Sequence, residues 1–161
     1  MRPSANDQPL MVCLAAHHRG GGSGQSVKID SFAEDRSLIR ALEKRSQTIL
    51  CSEGGILFSQ GDVPAGLYIL RTGEAALMMK SASGNVVMCL HASAGSLLGL
   101  PGIVGNEPYS MTAMARKGSQ VSFVTRNNFE DVIRAEPLLY PMVLQVLAAE
   151  VRSARRALSE A

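Results

Sequence analysis

Gly54-Gly55-Ile56-Leu57-Phe58-Ser59-Gln60-Gly61-Asp62-Val63-Pro64-Ala65-Gly66-Leu67-Tyr68-Ile69-Leu70-Arg71-Thr72-Gly73-Glu74-Ala75 is the stretch that decides how the chain is read. Glycines punctuate short apolar runs at close, regular spacing, and the runs are β-branched, aromatic or leucine-rich. Gly61-Asp62 and Thr72-Gly73 let the backbone reach positive φ without steric cost, so each pair marks a turn between strands. Three tightly turned strands, the start of a small antiparallel roll, are expected.

The same pattern extends in both directions. Strands are expected over Gln47–Cys51, Ile56–Ser59, Gly66–Thr72, Glu74–Ser81, Asn85–Ala92, Ser110–Ala115 and Gln120–Thr125, with turn signals at sandwich-like spacing between them. Ahead of them, Leu38, Ile39 and Leu42 share one face of a short amphipathic helix over Ser37–Arg45. Behind them, Thr125 reads as an N-cap for a helix over Asn127–Ala135 that Pro137 stops. Leu138–Leu158 is the strongest helical segment. Within it Tyr140, Leu144, Leu147, Val151, Ala154 and Leu158 recur at alternating spacings of four and three, with Glu150, Arg152, Arg155 and Arg156 off the stripe. Such a seam either packs back on its own barrel or joins two copies of the helix; the strict spacing, narrower than a barrel-packing face needs, favours a parallel homodimer.

Composition sets the outer limits. The 161 residues suffice for one domain with a real core, and with 46% hydrophobic residues and no Trp that core is aliphatic and methionine-rich. Met78-Met79 and Met88 fall in strands as gap-fillers. Sixteen basic residues against 14 acidic leave a charge of +2, too balanced to argue for nucleic acid. Cys13, Cys51 and Cys89 are odd in number, widely spaced and without a CxxC, which suits reduced thiols in the cytoplasm better than a disulfide framework or an iron–sulfur cluster. The apolar run Pro9–Ala16 imitates the core of a secretory signal but has no convincing cleavage pattern, and no run is long enough to span a bilayer. The Gly20–Gly24 tract and its surroundings read as a flexible tail, in which the adjacent His17 and His18 point apart and make a poor metal pair. The division expected is a tail over 1–29, a β-roll over 30–136 and a helix over 137–161.

From Leu38 to Leu158 the chain resembles the cyclic-nucleotide-binding domain of the catabolite-activator (Crp/Fnr) type of bacterial regulators. The resemblance rests on the Gly54–Asp62 strand pair, the Gly66–Gly73 strand, the Gly84 hairpin, Gly95-Ser96-Leu97-Leu98-Gly99, the Phe123/Phe129 segment and the final helix. It implies a mainly β fold with flanking helices: a double-stranded β-helix (jelly roll) followed by a long C-terminal dimerisation helix. It also implies a ligand cassette between two strands, here Gly95 to Ala113, with Gly99, Leu100, Pro101, Gly102, Tyr109, Ser110, Met111 and Thr112 as candidate binding residues.

In the resembled family a glutamate after a glycine binds the ribose hydroxyl and an arginine pairs with the cyclic phosphate, because a carboxylate accepts from a hydroxyl and a guanidinium fork meets two phosphate oxygens. Here Leu100 stands at the glutamate position and Tyr109 at the arginine position, and no arginine occurs between Arg71 and Arg116. Both anchors are missing, so binding of cyclic AMP or cyclic GMP is expected to be altered or lost. Two readings of the cassette stay open. Pro101 in a first helical turn, Gly99 and Gly102, with hydroxyls from Ser110 and Thr112, suit some small anionic ligand; alternatively Leu97, Leu98, Leu100, Ile103 and Val104 plug the pocket.

Three functions compete. A regulatory sensor, homodimeric and without a catalytic residue, metal or resident cofactor, fits best. A cupin-like metal enzyme needs two spaced histidines and a carboxylate, whereas His91 is the only histidine in the expected folded part; Cys89 and His91, on one face of a strand, read as packing. A transcription regulator of this type carries a helix-turn-helix after the dimer helix; the chain given stops at Ala161, so it reads as a stand-alone module or as a sensor truncated before that unit, with no DNA or membrane binding of its own expected.

Overall fold

The computed structural model describes residues 27–28 and 36–159. The His17-His18 pair, the Pro9–Ala16 run and Cys13 lie outside them.

Among the described residues nine strands form two sheets. The first has the order β1 (Val27–Lys28), β6 (Val86–Ser93), β5 (Glu74–Lys80), β8 (Thr112–Ala115), β3 (Gly55–Phe58); the second runs β2 (Gln47–Cys51), β9 (Ser119–Thr125), β4 (Gly66–Thr72), β7 (Leu97–Leu98). All pairings are antiparallel except β1 with β6, which sets Val27 opposite Leu90. The expected mainly β jelly roll with flanking helices is the fold observed. The turns lie where the glycines placed them: Gly61, Gly73 and Gly84 all have φ near +90°. At Gly73 a side chain would also collide with Ser119, whose hydroxyl accepts the Glu74 N–H and donates to the Glu74 carbonyl.

Period-two alternation explains how β4 serves two cores. Leu67 and Ile69 point to the helices, joining Leu38, Leu42, Val124, Phe129, Val132, Ile133 and Val143. Leu70 points into the roll with Phe58, Leu77, Leu90, Leu98, Tyr109 and Val121, and Tyr68 packs on the same side. Met88 joins this interior, while Met78 is buried with Ala76 in a separate small cluster, so these methionines do fill gaps.

Helices close the ends. Helix α1 (Ser37–Glu43) buries Leu38 and Leu42. Helix α3 (Arg126–Ala135) starts at Thr125, whose hydroxyl accepts the Asn128 N–H at 3.1 Å, the cap read from the sequence. A 3₁₀ turn (Pro137–Leu139) follows, and helix α4 (Tyr140–Ser159) leaves at 106° to α3. Among the described residues no single helix is long and apolar enough to cross a membrane.

Three local expectations differ. The strand expected from Ser110 begins only at Thr112, because Ser110 and Met111 run along a cavity wall. The pairings of β1 and β7 were not foreseen: each is two residues long, too short for a periodic signal, and β1 falls inside the stretch expected to be tail. Cys51 is a free thiol, whereas Cys89 is disulfide-bonded, so the expectation of reduced thiols does not hold at Cys89. Sequence spacing carries no information about which thiols meet in space.

Candidate ligand site

The cassette between β7 and β8 is built around helix α2 (Leu100–Gly105). Gly99 opens it with φ 89°, and a Cβ there would lie 2.9 Å from the Tyr109 ring and 3.3 Å from Phe58. Pro101 sits in the first turn, where its missing N–H costs nothing. Asn106 ends the helix in the left-handed region at φ 54°, and its side-chain oxygen accepts from Arg126 at 3.0 Å. The Arg126 guanidinium also donates to the Pro64 carbonyl at 3.2 Å, so this cation ties α2 to the start of β4.

The two residues standing at the family's anchor positions are structural. Leu100 is completely buried in the core under the helices and does not line the cavity described below. Tyr109 stacks on Phe58 with ring centroids 4.0 Å apart, and its hydroxyl donates to the Gly66 carbonyl. Burial pushes that hydroxyl above the usual tyrosine range, so it stays a neutral donor. Leu97 and Ile103 lie in the helical-side core, Leu98 lies inside the roll, and Val104 is exposed. None of these residues fills the space beside the cassette.

That space is a cavity of about 290 Å³ between the roll and α4. The roll contributes Phe58, Leu77 and Leu90. The cassette contributes Gly99, Pro101, Gly102, Tyr109, Ser110 and Met111, six of its eight candidate residues. Leu100 is absent for the reason given, and Thr112 is engaged elsewhere, its hydroxyl accepting the Gln60 N–H at 2.9 Å. Helix α4 supplies the remaining wall with Leu147, Glu150, Val151 and Ala154.

The six-residue seam of α4 is therefore divided. Leu147 and Ala154 turn to the protein's own core, whereas Tyr140, Leu144, Val151 and Leu158 remain exposed. An α-helix turns about 100° per residue, so the side facing the roll runs through Val143, Leu147, Glu150 and Ala154, also spaced by fours and threes.

Glu150 lies off the six-residue stripe. It lines an otherwise apolar cavity, and burial raises its carboxyl pKa from 4.5 to about 7. No arginine, lysine or histidine among the described residues lines the cavity. Among the described residues no three His, Cys, Asp or Glu side chains group so as to hold a metal ion.

The model of the family described as "Cyclic nucleotide-binding domain" matches residues 49–136. No curated protein matches the chain. Among solved structures, the chain is similar to the catabolite activator protein of Thermus thermophilus, at 22% identity and a TM-score of 0.67 over 80% of this chain and 60% of that one. It is also similar to the c-di-GMP-responsive global regulator CLP of Xanthomonas campestris, at 12% identity and 0.64 over 78% of this chain and 61% of that one. The sensor domain of the transcriptional regulator DNR of Pseudomonas aeruginosa superposes at 17% identity and 0.58 over 73% of this chain and 79% of that domain. At such identities the likeness speaks for the fold. The chain spans about three fifths of the length of the first two.

Proposed function

Because the chain belongs to the cyclic nucleotide-binding domain family, we propose that it is a regulatory sensor module of the Crp/Fnr type, without enzymatic activity, whose cavity has lost cyclic AMP and cyclic GMP and answers to a different small molecule. The observation that carries this reading is the cavity wall itself. Among the described residues its lining holds one carboxyl, that of Glu150 on α4, and no arginine, lysine or histidine to meet a cyclic phosphate. Charge-assisted hydrogen bonds contribute roughly 1.5–3 kcal/mol each, so absence of the ribose and phosphate anchors weakens a cyclic nucleotide by about a hundred- to ten-thousand-fold. A carboxyl on the wall opposes an anion further.

The test is calorimetric titration of the full chain with cyclic AMP and cyclic GMP. Very weak or absent heats are expected; low-micromolar binding of either would overturn the reading. Ligand occupancy would be transmitted through α4, which forms one cavity wall and also displays Tyr140, Leu144, Val151 and Leu158 outward for a second copy. Overlap with transcriptional regulators supports a second reading, in which the same module is the sensor part of such a regulator.

A further inference from the structure

We propose that the cavity between the roll and α4 is a receptor for a small hydrophobic amine, with the Glu150 carboxylate as counter-ion to its ammonium group. The inference rests on the reading of this chain as a sensor with an altered ligand, and it specifies the chemistry of that ligand.

Shape and wall chemistry point the same way. About 290 Å³ is room for a ligand of one ring or a short chain, and Phe58, Leu77, Leu90, Met111, Leu147 and Val151 make the walls apolar. Among the described residues a single carboxyl, that of Glu150, stands in that lining. Within the described residues no ion pair engages it, and its raised pKa comes from loss of solvent alone, with no charged neighbour contributing. Tyr109 is the other titratable side chain on the wall, and its hydroxyl is turned to Gly66. Arg152, Arg155 and Arg156 of α4 are exposed and line no part of the cavity.

A carboxylate withdrawn from water without a cation is unfavourable, and a ligand that brings the cation relieves it. An ammonium matches it in charge and donates up to three hydrogen bonds, while the stacked Phe58 and Tyr109 rings offer π-surface to a cation. An alcohol of the same shape would gain only the apolar contact, and a carboxylate or phosphate would meet like charge.

The experiment titrates the full chain with 2-phenylethylamine, its neutral analogue 2-phenylethanol, the anion phenylacetate, and cyclic AMP, for the native protein and for Glu150→Gln. The amine is expected to bind about tenfold or more tighter than the alcohol, with no heat from either anion. Glu150→Gln should erase that preference and leave the alcohol unchanged. A measurement on the native protein stands apart from any variant: at pH 7, titrations in buffers of different ionisation enthalpy should show net proton release on binding the amine and none on binding the alcohol, as the protonated fraction of Glu150 ionises.

Equal binding of amine and alcohol would overturn the amine assignment while leaving a small-molecule sensor standing. Amine binding without proton release, or with its preference intact in Glu150→Gln, would overturn the role of Glu150. Binding of none of the four probes would overturn the assignment of an amine to this cavity, and tight binding of cyclic AMP would overturn the sensor reading on which it rests.

Discussion

At the scale of single residues, Glu150 has the clearest thermodynamic signature. Its carboxyl loses its proton near pH 7 in the folded chain and near 4.5 when unfolded. The folded state therefore holds a proton that the unfolded state has lost between those values, so Glu150 costs nothing below about 4.5, and stability falls as pH rises toward 7 and levels off above it. Glu150→Gln should remove that loss: the variant should exceed the native chain by about 1–3 kcal/mol at pH 8 and by much less at pH 5, measured by urea unfolding. Equal stabilities at pH 8 would mean that the side chain is solvated. Tyr109 makes the opposite case, since Tyr109→Phe keeps the stack on Phe58 and leaves the Gly66 carbonyl short of a partner, at a cost of about 1 kcal/mol. These two residues also show how legible the site was. The place of Tyr109 in the cassette could be read from its neighbours, but its packing role needs Phe58, fifty-one positions upstream. Glu150 was invisible because spacing by fours and threes fits the stripe through Leu147, Val151 and Ala154 and equally the one through Leu147, Glu150 and Ala154. Only the roll decides which side faces inward.

At the scale of elements, the fold was legible wherever the signal was local. The Thr125 cap, the glycine turns and the alternation of β4 each depend on residues within one or two turns of the chain. Thr125→Ala should accordingly cost about 1 kcal/mol, since the Asn128 N–H loses its acceptor at the start of α3, with the loss read as a lower midpoint in the same urea experiment. What was not legible is of another kind: β1 and β7 are made by partners far away in sequence, Val27 meeting Leu90 and Ile69 meeting Leu97. The cassette joins the two cases. Its helix could be anticipated from Pro101, whereas the burial of Leu100 under α1 and α3 could not, and that burial bears on any attempt to restore the family's ligand set. Leu100→Glu with Tyr109→Arg should severely destabilise the chain, because the new carboxylate would enter the fully buried core position of Leu100 without a partner and the stack of Tyr109 on Phe58 would be lost. Restored binding of cyclic AMP in a well-folded double variant, checked by circular dichroism and calorimetry, would show instead that the cassette is free to rearrange.

At the scale of the whole molecule, α4 faces two ways. One side is satisfied by the roll and the cavity. The other leaves Leu144 at 66% exposure and Leu158 at 57%, with Tyr140 in line with them and Val151, which also borders the cavity, at 48% between the two sides. An ordinary solvated helix face has no reason to keep an apolar stripe along its whole length, and burying one leucine contributes about 2 kcal/mol. A homodimer in which α4 meets its counterpart would bury this stripe and place the Glu150 wall of each cavity one helix away from the other, so that a ligand in one cavity presses on the interface. Leu144 is the proper probe, because Leu147 also packs on the protein's own core and its replacement would mix association with folding. Leu144→Asp should leave the circular dichroism spectrum and melting behaviour of the subunit intact while converting a dimer to a monomer in sedimentation velocity at tens of micromolar. A native chain that sediments as a monomer under the same conditions would remove the dimer, and with it any route by which the cavity acts through a helix pair.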